Sequence, residues 1–333
     1  MIPQHSKNSN RFLPKRQKSR SQSSGKSGRT ACHLLWRFGF SCCIMKWFPG
    51  AAVMLITGLE QRRFSVKIIL SRKGFDSSNG GSPSPIMPDG SLLSMPIPSD
   101  NSARYTDLHY HGLSYSDLLH QLNPKFVYDH CHVDPDIRED VWAGRIPNWK
   151  PAFGQVNSAQ GVLMNAGVEP GDIFLFFGWF RRAEKYQDCY RFIKRNAGTF
   201  YDHSDLHVIY GYMQIGRIIT NPGEIIRYSW HPHSDREHLN NRTNALYIPS
   251  EKLSLNPNLK GYGTLNYRQD RVLTMENQNR GTWNAYSFLM PENVYGERKN
   301  SAKKAGLFYS GIWQELVVYE SNGLLEWVKS IVC

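Results

Sequence analysis

Acidic residues are nearly missing from the start of this chain. Glu60 is the only one in positions 1–65, against twelve Lys and Arg, so +11 of the formal net charge of +12 lies there. Residues 66–333 hold 28 basic and 27 acidic side chains. That near balance excludes a general duplex-DNA binder, whose affinity rests on summed phosphate neutralisation, so no strong duplex-DNA patch is expected in the domain, only a local basic groove. Cysteine is scarce as well. The six cysteines include no Cys-x-x-Cys pair, which excludes a disulfide framework or a Cys-rich zinc site and points to a reducing, cytoplasmic setting. The apolar stretch Trp47–Leu59 has 13 residues, short of the roughly 20 that a membrane span needs.

Positions 1–30 are rich in Ser, Lys, Arg and Asn and hold too little apolar surface to bury a core. Residues 1–65 therefore read as a disordered basic extension carrying one short apolar segment. Three origins compete for it: an organelle transit peptide, a signal anchor without a small-residue cleavage site, or upstream sequence from a wrong start. Residues 66–333 carry the function.

Within that domain Val66–Leu70 is a short apolar run of the buried-strand type. Pro88-Asp89-Gly90 marks a hairpin turn. Ser114 and Asp117 have capping-box spacing before a helix to Leu122, and Ser158–Ala166 is a second helix stopped by Gly167. Ile173–Phe177 is the most hydrophobic segment and reads as a central strand. Val208–Ile219 is another, with Gly211 and Gly216 as bulge points. Asn221-Pro222-Gly223-Glu224 starts a helix. Later come short strands at Ala245–Ile248, Arg271–Met275 and Trp313–Tyr319, then a terminal helix at Leu324–Val332. Without a regular βαβ rhythm the expected class is α+β: mixed, mainly antiparallel sheet with a few packed helices.

Ten of the twelve histidines lie in the domain. They form three His-x-His pairs, His109/His111, His130/His132 and His231/His233, besides His203 and His207. On a strand such a pair points to one side and reaches one metal. The second pair sits in Asp129-His130-Cys131-His132-Val133-Asp134-Pro135-Asp136, which adds carboxylates. The candidate metal ligands are therefore His109, His111, His130, His132 and Asp134, and the expected ion is zinc or iron. Histidines packed in a core, or used as metal-free general acids and bases, account for the same residues. The loop after the first strand carries Arg72, Lys73 and Asp76 among glycines, which suits phosphate, although it matches neither the GxxxxGK[ST] loop nor GxGxxG. Gln155 offers an amide for a base edge. Arg181 follows two aromatics at the end of the central strand, and Glu315 is costly to bury without a partner.

Several of these segments together resemble the nucleotide modification associated domain 3 family of bacteria and phages. They are the run from Val66 through Pro98, HVDPD (His132–Asp136), FGQ (Phe153–Gln155), GDIFLFFGWFR (Gly171–Arg181), LHVIYGYMQIG (Leu206–Gly216), HPH (His231–His233), ALYIP (Ala245–Pro249) and WQELVV (Trp313–Val318). The resemblance implies a domain beginning at the first strand and an association with modified bases in nucleotides or DNA, but no defined reaction. It carries over Arg72, Lys73, Asp76, His132, Asp134, Gln155, Arg181, His207, His231, His233, Gln314 and Glu315. The chain departs from the pattern where Trp313 stands in place of an expected glycine before Gln314-Glu315.

Three functions are then in competition. The first is an enzyme acting on a nucleobase or nucleotide. His132, Asp134, His231, His233 and Asp76 would be its catalytic candidates, and Arg72, Lys73, Gln155, Arg181, His207, Gln314 and Glu315 its substrate contacts. The second is a non-catalytic reader of modified bases, by fold-level analogy with PUA-like barrels. The third is a partner-binding protein with histidines spread over its surface.

Overall fold

The computed structural model describes residues 65–101, 103–296 and 314–333, with 302–303 and 306–309 between them. The expectation of a disordered basic extension falls on residues outside this set. Positions 62–333 make one compact unit.

The architecture is α+β. A nine-stranded sheet runs, in spatial order, Glu315–Val318, Ile68–Arg72, Ile173–Tyr186, Leu206–Ile219, Ala245–Pro249 and Phe153–Gln155, with three short strands attached beside this path. Ile68–Arg72 and Ser84–Ile86 lie parallel to the long strand, and the other pairings are antiparallel. The long strand alternates between two cores, as a pleat of period two requires. Ile173, Leu175 and Phe177 join one cluster with Trp283 and the C-terminal helix Leu324–Val332. Phe174 and Phe176 join the other with Phe153 and Tyr247. Both faces are covered, which explains why GDIFLFF reads as a continuous apolar run.

The helices at Tyr115–Leu122 and Asn157–Asn165 match the expected segments closely. Ser114 caps the first by accepting from the Asp117 backbone N–H. The bulges fall beside Gly211 and between Ile215 and Arg217, where Gly216 stands. A side chain at Gly216 would collide with the Pro249 and Ser250 backbone. Ile86 pairs with Leu92 across the Pro88-Asp89-Gly90 turn.

Two expectations change. The first strand extends past Leu70, because Ser71 pairs with Glu315 on one side and Phe176 on the other. Arg271–Met275 is not a strand. Its start is a 3-10 turn at Gln269–Arg271, where the buried Arg271 guanidinium donates to the carbonyls of Ile331 and Asn266. Only isolated bridges follow at Val272 and Thr274. Among the described residues no helix is long and apolar enough to cross a membrane.

Phe174 is fully buried, with its ring centroid 4.9 Å from Phe153 and 5.1 Å from Tyr247. Phe174→Ala should destabilise the domain by about 3–5 kcal/mol, read as a lowered urea midpoint with an unchanged slope.

Candidate functional site

The polar residues after the first strand, the Phe153–Gln155 strand, the start of the Asn157–Asn165 helix and two histidine segments surround one cleft of about 450 Å³. Arg72, Lys73, Asp76, Gln155, Gln314, His132, Asp134 and His233 all line it.

At one end of the cleft His132, Asp134 and His233 each bring a ligand atom within 4.8 Å of the others. Each is positioned by its own local structure. His132 lies on the two-residue strand Cys131–His132, which pairs with Ile97–Pro98. Asp134 follows two residues later, and its Oδ1 accepts from the Gly154 backbone N–H at 2.7 Å. His233 sits on a 3-10 turn that Pro232 opens. Gly154 has no side chain where the His233 ring packs; a Cβ there would overlap the imidazole.

Two amide oxygens fix the imidazoles. His132 Nδ1 lies 2.8 Å from Asn101 Oδ1, and His233 Nδ1 lies 2.8 Å from Asn244 Oδ1. Each asparagine's own NH₂ donates elsewhere, to Asp235 and to the His233 carbonyl, so its oxygen is the atom facing the ring. An oxygen opposite Nδ1 makes that nitrogen the protonated one and leaves Nε2 with a free lone pair. This is the arrangement that orients histidines as metal ligands. Burial pushes His132 down to about 4, with Asp134 opposing, and His233 down to about 3. Burial works against ionisation of Asp134, but His231, His233 and Lys73 outweigh it and hold the carboxyl below the usual carboxylate range. Near neutral pH the group is two neutral imidazoles and one carboxylate, the protonation state that metal binding needs.

His231 stands behind this group. Its side chain is fully buried, its Nδ1 accepts from the His233 backbone N–H, and its Nε2 lies 3.3 Å from Asp134 Oδ1. His238, which the sequence reading passed over, joins in front, its ring centroid 4.4 Å from His233 and 5.7 Å from His132. Its Nδ1 is tied to Asp235, the residue that caps its own short helix. The Asp235-to-His238 capping spacing so soon after HPH was the available signal; Asn101 and Asn244 had none.

Beneath the cleft lies a buried charge network. Lys73 Nζ is 3.3 Å from Glu315 Oε1, which also accepts from Gln155 Nε2 at 2.6 Å and Ser71 Oγ at 2.9 Å. Lys73 also sits over the Phe153 ring, 4.3 Å from its centroid. Burial pushes Glu315 up, and Lys73, Ser71 and Gln155 oppose it. Gln155 Oε1 accepts from the Val156 N–H, so both ends of this amide are committed within the protein. Asp76 holds its own turn through the N–H groups of Ser78 and Asn79 and pairs with Arg72 at 3.1 Å.

The remaining candidates lie apart from the cluster. His109, on the short strand His109–Tyr110, and His111, on the turn after it, are exposed, and His130 pairs with Arg104 on a neighbouring segment. His207 is enclosed by Phe177, Trp283 and Tyr309, and its Nδ1 accepts from Trp283 Nε1 at 3.0 Å. Burial, reinforced by Arg280 and Arg72, lowers it to about 3. Arg181 points toward Phe192 on the adjoining hairpin.

The family model of nucleotide modification associated domain 3 matches residues 67–317. The chain belongs to that family. No curated protein and no solved structure matches it. The span matched to nucleotide modification associated domain 3 contains all three clustered ligand residues and every member of the Lys73–Glu315 network.

Lys73→Met leaves Glu315 buried without its cation and should cost about 3–5 kcal/mol, whereas Lys73→Met combined with Glu315→Leu should recover most of that loss. Urea unfolding of the two variants checks it; a double variant less stable than the single one contradicts this account.

Proposed function

We propose that this chain is a nucleotide-modifying enzyme, one that binds a nucleotide, free or within DNA, in the cleft and acts on its base at His132, Asp134 and His233. Those three residues would hold a divalent metal. The observation that carries this reading is the convergence of three ligand atoms within 4.8 Å while both imidazoles are oriented through Nδ1 by asparagine oxygens. Two imidazoles and one carboxylate suit zinc or non-haem iron. A metal held there would supply a Lewis acid beside the substrate.

The residues around it divide the remaining work. Arg72 and Lys73, on the loop leaving the first strand, face the cleft with the start of the Asn157–Asn165 helix. That helix end has Val156 as its N-cap residue, which offers no capping side chain, and among the described residues only its Asn157 N–H is taken, by Thr243 Oγ1. Its N–H groups and partial positive charge favour a phosphate. Gln314 presents an exposed amide to the same space for a base edge. Asp235 orients His238, whose second nitrogen is available to take or give a proton near the reacting base.

Metal analysis of the purified chain should find about one divalent ion per molecule. His132→Ala and Asp134→Asn should lose it. Gly154→Ala, which displaces the His233 ring, should weaken metal affinity about 10–100-fold. Incubation with nucleotides and oligonucleotides, followed by mass spectrometry of the nucleosides, should show an altered base that chelator abolishes. A chain without metal that leaves every nucleoside unchanged refutes the proposal; if such a chain still bound a modified base, it would be a non-catalytic reader.

A further inference from the structure

A second polar cavity, of about 370 Å³, opens beside the hairpin formed by Ile173–Tyr186 and Cys189–Phe192. Arg195, Arg280 and His203 line it with Asp205 and the amides of Asn196 and Asn279. Three arginines from separate segments lie in the field of Asp205. Arg195 lies 3.5 Å from Asp205 Oδ2. Arg181, on the long strand, and Arg280, on the 276–281 turn, each have Asp205 as an attracting neighbour. The acids near these guanidiniums, Asp205 and Asp76, are outnumbered by Arg181, Arg195, Arg280 and Arg72, which leaves a local excess of positive charge in a domain that is otherwise near neutral.

The surrounding chemistry points the same way. Arg280 stacks on Trp179, 3.9 Å from its ring. The Trp179 Nε1 and Arg181 Nε donors are buried and find no acceptor among the described residues. Near this cavity two orphaned donors thus stand against one orphaned acceptor, the buried Asp205 Oδ1; a phosphate relieves surplus donors, and guanidinium is the group that binds it in bidentate fashion. An arginine stacked on an aromatic is also a common element of single-strand binding surfaces.

The cavity is coupled to the cleft by one turn. Arg280 Nη2 donates to Ser77 Oγ at 2.7 Å. Ser77 lies in the turn whose Asp76 and Asn79 line the cleft. We propose that this arginine cavity is a second phosphate site, and that it holds the backbone of a polynucleotide strand whose target nucleotide occupies the cleft. The substrate class is then a base within single-stranded nucleic acid rather than a free nucleotide. This rests on the cleft reading above for the location of the target base.

The test compares a labelled single-stranded oligodeoxynucleotide with the corresponding deoxynucleoside monophosphates, using the full chain. Residues 1–65 carry their own positive charge, so the comparison is between variants at several salt concentrations. The wild type should bind the oligonucleotide more tightly than any monophosphate. Arg195→Ala removes an exposed side chain and so leaves the fold intact. It should weaken oligonucleotide binding roughly tenfold and lower the slope of log affinity against log salt by about 0.7, with metal content unchanged. Arg280→Lys keeps the charge but loses the planar stack; it should weaken binding while preserving the slope. Unchanged affinity and slope in Arg195→Ala, or monophosphates bound as tightly as the strand, overturn the inference. Failure of the cleft reading shows separately, as a wild type without metal.

Discussion

Glu315 is a carboxylate in a place that water does not reach, and the arrangement of the site follows from how that charge is held. Its backbone pairs with Ser71, which places the last strand of the sheet against the first. Its Oε1 gathers Lys73, Ser71 and Gln155 from two strands far apart in sequence. Desolvation of a lone carboxylate costs several kcal/mol, so these contacts are obligatory once the residue is buried. They have a geometric consequence. Lys73 and Gln155 both line the cleft, and their shared contact with Glu315 Oε1 fixes their positions there. Phe153, under the Lys73 ammonium, is at the same time a member of the aromatic core with Phe174 and Phe176. The cleft is therefore continuous with the packed interior, and its shape does not depend on loops alone.

The Phe153–Gln155 strand does for the histidines what Glu315 does for the lysine. Gly154 donates its N–H to Asp134 and yields its side-chain volume to His233. A single residue thereby aligns two of the three clustered side chains. The third, His132, is oriented through Asn101, which in turn donates to Asp235, the residue that holds His238. His132 and His238 are thus linked through an amide and a carboxylate, while His233 is held separately by Asn244. Such outer contacts hold ring orientation within the narrow range that ligation or proton transfer requires.

Much of the fold was legible because it depends on local rules. The long central strands, the Ser114 cap, the Gly216 bulge and the terminal helix each follow from hydrophobic period, capping chemistry or a glycine that a close approach requires. Arg271–Met275 misled because an apolar Val-Leu step reads alike in a strand and in a buried turn; the deciding contacts, from Arg271 to Ile331 and Asn266, are tertiary. The site was legible in part for the same reason. His132, Asp134 and His233 stand in short motifs, so they could be named, but their convergence depends on pairings between segments about one hundred residues apart. The strand argument for His-x-His also had the wrong local geometry for the third pair, which sits on a 3-10 turn with both rings buried. His109 and His111 have the same spacing yet remain exposed on a hairpin, where their partners are the Asp107 carbonyl and the Asp89 carboxylate.

The charge distribution sets the last constraint. Nearly all the excess positive charge lies in residues 1–65, and the domain that carries the cleft is balanced. Affinity for a polyanion in that domain must then come from placement rather than from total charge. Arg72 pairs with Asp76, whose turn contacts Arg280 through Ser77, and Arg280 faces Asp205 across the second cavity. Each arginine in this series has an acid beside it that helps to hold it in position. That arrangement keeps long cationic side chains ordered before any ligand arrives, which reduces the entropy lost on binding. On the proposal of two phosphate sites, it would also limit binding to ligands whose phosphates match the spacing of the arginines. A strand threaded past the turn at Asp76 would meet that requirement at both cavities, whereas an isolated phosphate would satisfy only one.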